Sequence, residues 1–304
     1  MVEIIGLGEI VIDLVSKIPY FPEPDEKIDA ITQVKFAGGV TANYVTAASR
    51  LGVLTGFMGA VGDDNDGEFL IENLKKEKID YTFTLKKKGL TTPINFIMVN
   101  LKGDKIIIQS PHMQTTKLDL EDINEDYIQQ AKLIHTTAIH LDITKKAIEI
   151  AKKNDLIVSF DLEKQISIRG WDILAPIIEK TDILCPNKAG AMELTKTSTP
   201  EEAAKVLIKK GPKIVVVTLG AKGCLIQTKK EKIIVPAYDI EKIIDTTGAG
   251  DTFNGAFSVG YLKGWTLKEI GQFANAAAAL KIQKMGARTG MPTFKQVMNF
   301  LDQN

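Results

Sequence analysis

The sequence predicts an α/β protein: a mainly parallel sheet covered by helices on both faces, with a small β-sheet set apart from it. From about residue 119 onward, helix-like and strand-like segments alternate regularly. The strand-like runs there ("LIVSFD", "DILC", "KIVVVTLG") are apolar nearly throughout, as strands buried on both faces are. Two earlier stretches, roughly 12–36 and 93–112, break that rhythm with alternating residues. No linker or internal repeat divides the 304 residues. One domain, 1–304, is therefore expected, with 12–36 and 93–112 forming a β lid.

In chain order, "EIIGLGEIVIDLV" reads as a buried strand continuing into an alternating one. "VTANYVTAASRLG" places Tyr44, Ala48 and Leu51 on one helical face, and Gly52 stops it. "LTGFMGAVG" is a strand and "DGEFLIENLKKEKI" a helix with a charged outer face. The lysine run 86–88 reads as a solvated loop. "INFIMVN-LKGD-KIIIQS" is a β-hairpin. Helices follow at "LEDINEDYIQQAK", "ITKKAIEIAKK" and "WDILAPIIEK". "TPEEAAKVLIKK" opens with a capping box from Thr199 to Glu202, with Pro200 at the first helical position. "GCLIQT" and "KIIVPA" are strands, and the C-terminal part is helical.

Lys+Arg and Asp+Glu are both 38, so no basic excess points to nucleic acid. No run is long and apolar enough for a membrane span, and the acidic N-terminal segment does not resemble a signal peptide, so a cytoplasmic enzyme is expected. Cys185 and Cys224 follow apolar runs and read as buried hydrophobes. His112, His135 and His140 lack metal-ligand spacing, and no nucleophile can be tied to them.

The chemistry concentrates in glycine-bounded turns. "GLGEIV" imitates a dinucleotide fingerprint, but Val11 stands at the third glycine, which disfavours a dehydrogenase. Asp13 ends that run, either bonding substrate hydroxyls or simply solvated. "AGGVTAN" sets Gly38 and Gly39 before a helix that carries Asn43, a donor and acceptor suited to a polyol, or only a capped loop. "TLGAKG" puts Thr218, Gly220 and Gly223 at a strand's carboxyl end, as a nucleotide turn or a plain hairpin. "DTTGAGDTFNG" is the most telling stretch. A helix beginning near Gly250–Asp251 would point the amides of Ala249, Gly250 and Asp251 outward as an anion site. A carboxylate at its rim opposes mere anion binding. It makes sense if Asp251, a carboxylate of low pKa at a helix N-terminus, accepts a proton from an attacking hydroxyl. The competing reading is a helix cap.

"DTTGAGDTFNGAF" together with "AGGVTANYVTAASRLGVLTGFMGAVGDD" resembles the ribokinase-like (PfkB) sugar kinase family. The resemblance extends through "IGLGEIVIDLV", "VVVTLGAKGCLI" and "GARTGMPT", nearly the whole chain. It implies a doubly wound α/β fold with a β lid over the sugar, and ATP with Mg2+ as the phosphoryl source. Asp251 matches the catalytic base, and Gly248, Ala249 and Gly250 the anion hole. Asp13, Gly39 and Asn43, beside Gly38, match substrate-holding positions. Thr218, Gly220 and Gly223 match the turn around ATP, and Asn275 a helix beside the adenine. Asp245 and Thr247 resemble positions that bind a monovalent cation such as K+ in some members. Asn187 is kept, but Gly190 stands where the family often has a metal-organising Glu; either Glu193, three residues on, substitutes, or ATP and water alone hold the metal.

Arginine is scarce, at Arg50, Arg169 and Arg288 only. A neutral sugar such as ribose or fructose is the first-choice substrate. A 2-keto-3-deoxy sugar acid held by Arg169, in a segment imperfectly resembling Asp-x-Asn-x-Arg, is second, and a nucleoside third. A non-catalytic nucleotide- or sugar-binding protein is the reading of another class. Family members with lids often pair them, so a homodimer through the lid is expected.

Overall fold

The computed structural model describes residues 2–304. Nine strands form the main sheet: β1 (Ile4–Leu7), β4 (Thr55–Gly62), β5 (Thr84–Lys87), β8 (Leu133–Thr136), β9 (Ile157–Leu162), β10 (Ile183–Pro186), β11 (Ile214–Thr218), β12 (Cys224–Gln227) and β13 (Lys232–Val235). Their order is β13-β12-β11-β10-β9-β8-β1-β4-β5. All pairs from β5 to β11 are parallel, while β12 and β13 add an antiparallel edge. A separate sheet holds β2 (Val11–Lys17), β3 (Thr32–Gly38), β6 (Ile94–Val99) and β7 (Lys105–Gln109), in the order β3-β2-β6-β7.

Successive residues of the main strands feed opposite faces, which is why those strands are apolar throughout. Ile5 and Met58 join a core with Ala147 of α4 (Leu141–Lys153), Leu174 of α6 (Trp171–Ile178) and Leu207 of α8 (Pro200–Ile208). Their neighbours Ile4 and Phe57 join the opposite core, with Tyr44 of α1 (Val40–Arg50), Phe257 of α9 (Ala249–Leu262) and Phe273 of α10 (Leu267–Lys281). α2 (Asn65–Lys76) and α11 (Phe294–Leu301) complete that side, and α7 (Lys188–Thr195) follows β10. Short helices α3 (Glu125–Ile128) and α5 (Lys164–Ser167) fill connections. No helix among the described residues is long and apolar enough to cross a membrane.

Four elements depart from expectation. "EIIGLGEIVIDLV" is two strands in two sheets, broken at Gly8, where a Cβ would meet the Thr41 hydroxyl at 2.2 Å. The lysine run is no free loop: Lys86 and Lys87 end β5, and Lys87 pairs with Asp119 at 2.7 Å and with Asp122. "LEDINEDYIQQAK" yields only a 3-10 turn and the single turn of α3, because Asn124 Oδ1 accepts from the Tyr127 amide at 2.7 Å and starts a new helix mid-segment. At α8 only half the capping box is seen, the Glu202 amide donating to Thr199 Oγ1 at 3.2 Å.

Candidate active site

A cavity of about 800 Å3 opens at the carboxyl edge of the main sheet, between it and the small sheet. α1 and α9 bring its two halves together. Gly255 makes this possible, because a Cβ there would stand 3.0 Å from Ala47 Cβ and the Tyr44 carbonyl. The close approach sets Asn43, in the first turn of α1, against Asp251, in the first turn of α9. Asn43 Nδ2 donates to Asp251 Oδ2 at 2.7 Å.

Gly248 caps α9 in the left-handed region, at φ 78. The helix starts one residue earlier than expected, and this corrects the anion site. The Ala249 amide closes the turn onto the Thr246 carbonyl at 3.2 Å and is not free. The amides of Gly248, Gly250 and Asp251 donate to no acceptor among the described residues. A Cβ on Gly250 would meet nothing within 4 Å, whereas one on Gly248 would stand 2.5 Å from the Ala287 carbonyl. Three free donors at a helix N-terminus, facing a cavity, are suited to a phosphate group.

The Asp251 carboxylate is not of low pKa. Burial pushes it up to about 7, against the Asn43 amide that lowers it, and Glu163, Glu9 and Asp13 raise it further. The helix terminus does not compensate for this negative company.

Asp13 lies on β2, buried, and accepts at Oδ1 from Asn95 Nδ2 at 3.0 Å. Gly38 is obligatory beside it, since a Cβ would stand 2.2 Å from Asp13 Oδ2. Gly39, at φ 94, caps α1 and lets it approach the Glu9 carbonyl. Gly39, Asn43 and Asp13 all line the cavity. Asn187 and Thr218 line it from the ends of β10 and β11, Asn187 capping α7 through the Gly190 amide at 2.7 Å.

Other expected residues fall elsewhere. Arg169 turns from the cavity: its Nη1 and Nη2 donate to the carbonyls of Ala138 and Ile139, both at 3.1 Å. Glu193 pairs with Lys196 on the surface. Gly190 admits no side chain because a Cβ would press on the Leu162 carbonyl at 2.5 Å, and Glu163 from that same loop faces the cavity instead. Gly220 and Gly223 form the tight β11–β12 connection, with Gly223 at φ 87. Asn275 ties α10 to the end of β13, donating to the Val235 and Pro236 carbonyls at 3.1 and 3.0 Å. Neither it nor those two glycines line this cavity. Asp245 accepts the Thr247 amide at 2.9 Å and the Gly286 amide at 2.8 Å, and its carbonyl takes the buried Lys281 ammonium at 2.8 Å.

Sequence reasoning missed several cavity residues. Glu9, buried, accepts from the hydroxyls of Thr137 and Thr41 at 2.8 and 3.2 Å. Asn254, one turn beyond Asp251, donates to Asp161 Oδ2 at 3.0 Å and leaves its Oδ1 unpartnered. The Asn95 Oδ1 is likewise unpartnered. Lys105 reaches from β7 to Thr247 Oγ1 at 3.4 Å. Only Asn254 carried a signal, its helical spacing from Asp251. Cys185 and Cys224 are free and buried, and no group of three His, Cys, Asp or Glu among the described residues is placed to hold a metal.

A parallel sheet whose carboxyl edge carries a glycine-bounded anion cradle, a carboxylate and a polar wall defines a phosphotransferase acting on small hydroxylated molecules. The model of the pfkB family carbohydrate kinases matches residues 1–294, and the chain belongs to that family: it is an ATP-dependent sugar kinase of the ribokinase group. It is 31% identical to a ribokinase of Haemophilus influenzae over 303 residues, 97% of each chain. It is 32% identical to a 5-dehydro-2-deoxygluconokinase of Clostridium perfringens over 288 residues, 88% of this chain and 84% of that one. A putative ribokinase II from E. coli, solved with ATP and Mg2+, superposes with a TM-score of 0.89 at 25% identity over 100% of both chains.

Proposed function

We propose that the chain moves the γ-phosphate of ATP to a hydroxyl of a neutral small sugar, with Asp251 as the base. The observation that supports this best is the Asp251 carboxylate standing beside the free amides of Gly248, Gly250 and Asp251 within one cavity. Those amides hold the transferred group and stabilise its equatorial charge. The small sheet closes over the sugar as a lid, Asp13, Asn43 and Gly39 orient its hydroxyls, and Gly38 leaves room for the Asp13 carboxylate. At neutral pH, a carboxyl held at about 7 accepts the hydroxyl proton readily as the oxygen attacks.

The free amides and the size of the cavity fit ATP, with Asn187 and Thr218 along its path. Mg2+, bound with ATP, supplies charge neutralisation; Glu163 and Asn187 are the side chains that would face it, through water. A monovalent cation at Asp245 and Thr247 is not required in this reading, because the Lys281 ammonium already serves that loop.

The wall of the cavity favours a neutral sugar. Glu9, Asp13, Asp161, Glu163 and Asp251 all line it. Such a wall wants a ligand rich in donors and repels a carboxylate. Lys105 and Lys164 are the lining cations, and Arg169 is engaged elsewhere. The exposed Ile106, Ile107 and Ile108 of edge strand β7 support pairing of two chains through the lid. ADP release across a panel of sugars, sugar acids and nucleosides tests the reading. Neutral sugars should lead, and turnover confined to sugar acids would reverse the substrate assignment.

A further inference from the structure

Arg288 is one of three arginines and 5% exposed, and no step above employs it. It lies in the turn after α10, just beyond Gly286 at φ 88. Its guanidinium grips three elements at once. Nε donates to Asn43 Oδ1 at 2.8 Å, Nη2 to the Gly38 carbonyl at 2.7 Å and Nη1 to Asn73 Oδ1 of α2 at 2.5 Å. Its own carbonyl is fixed by Arg50 Nη1 at 2.6 Å, and Arg50 is held by Glu77 at 2.6 Å.

The chemistry of this contact has a direction. The two ends of an asparagine amide have nearly the same shape, so partners decide which end points where. A guanidinium only donates. It therefore draws Oδ1 of Asn43 to itself and leaves Nδ2 facing Asp251, a donor aimed at a carboxylate. We propose that Arg288 is a positioning residue for phosphoryl transfer, acting through Asn43 to hold a donor against the Asp251 carboxylate. This rests on Asp251 being the base.

Asp251 also faces Glu9, Asp13, Asp161 and Glu163, and Lys281 lies in range, so its ionisation balances many charges. None of these groups changes in the variants that follow, but the Arg288 charge itself also acts on Asp251 through space, and the part of its effect that does not pass through Asn43 is read in the background that lacks the Asn43 amide. Without the guanidinium the Asn43 amide is free to turn its oxygen toward Asp251, which penalises the carboxylate twice, by a donor lost and an acceptor gained.

The test is the pH profile of kcat for wild type, Arg288→Met, Arg288→Lys, Asn43→Ala and the double variant Arg288→Met/Asn43→Ala, with Asp251→Asn as reference. Arg288→Met should move the acid limb up by about one pH unit, and Arg288→Lys should return part of it. Asn43→Ala removes the donor to Asp251 and the acceptor for Arg288 without adding a charge. Asn43→Ala should raise the acid limb at least as much as Arg288→Met, and adding Arg288→Met to it should then move the limb by less than it moves the wild-type limb. Should Arg288→Met fail to fold, the Arg288→Lys limb decides: a limb above wild type supports the relay and an unmoved limb overturns it. An unmoved limb in Arg288→Met, or equal shifts with and without Asn43, overturns the proposal while leaving Asp251 as base. Turnover retained in Asp251→Asn removes the base and the proposal with it.

Discussion

Replacing Asp251 by Asn should remove the activity and stabilise the fold. The side chain keeps its size and position, but the buried negative charge is gone. Asp251 stands at about 7 in the fold against 3.8 for an ordinary aspartate. A carboxyl raised on folding costs the native state nothing below the lower value, progressively more as pH climbs, and a constant amount above about 7. By linkage the full cost is ~4 kcal/mol, and partial exposure to water brings it to about 2 kcal/mol. For a domain of this size that is a gain of about 4 °C in Tm at pH 8, shrinking toward pH 5. Turnover should fall by about a hundred- to ten-thousand-fold, the worth of a positioned base. Thermal melts at pH 5 and pH 8, alongside ADP release, read both effects. A variant that is dead yet no more stable at pH 8 would show that its neighbours do not frustrate this carboxylate.

Gly248→Ala should cost about 1–3 kcal/mol and at least about a hundredfold in kcat, because φ 78 and the Ala287 carbonyl at 2.5 Å both reject a Cβ; a near-normal variant would exclude that turn from the anion site. Arg169→Ala should lower stability by about 1–2 kcal/mol, through the carbonyls it leaves unpaired, with KM for any accepted sugar unchanged. A selective rise in KM for sugar acids would place Arg169 on the substrate. Turnover should be equal in potassium and in N-methylglucamine salts, since Lys281 is an internal cation for the Asp245 loop, and activation by potassium beyond about tenfold would return that role to an external ion.

The layered sheet was legible because its signals are local. Doubly buried strands spell themselves as unbroken apolar runs, and helices between them by period. The errors fell where a tertiary contact overrides the local pattern. Nothing in "GLGEIVIDLV" marks the switch between sheets, because Gly8 is demanded by Thr41, more than thirty residues away. Nor do three consecutive lysines announce an edge strand, whose ladder is completed by β4.

The site divides along the same line. Gly248, Gly250 and Asp251 are neighbours in sequence, and a helix start is enough to place them, though the capture of the Ala249 amide needed the turn itself. The ionisation of Asp251 is another matter. Glu9, Asp13 and Glu163 come from three other segments, and only their convergence reverses the sign that a helix N-terminus alone would give. The arginines make the point most sharply. Arg169 lay near a tempting acidic motif, yet two main-chain carbonyls claim it. Arg288, without any such company in sequence, reaches back across 245 positions to Asn43. Rank by local motif and the first looks functional; follow the hydrogen bonds and the second stands one residue from the Asp251 carboxylate.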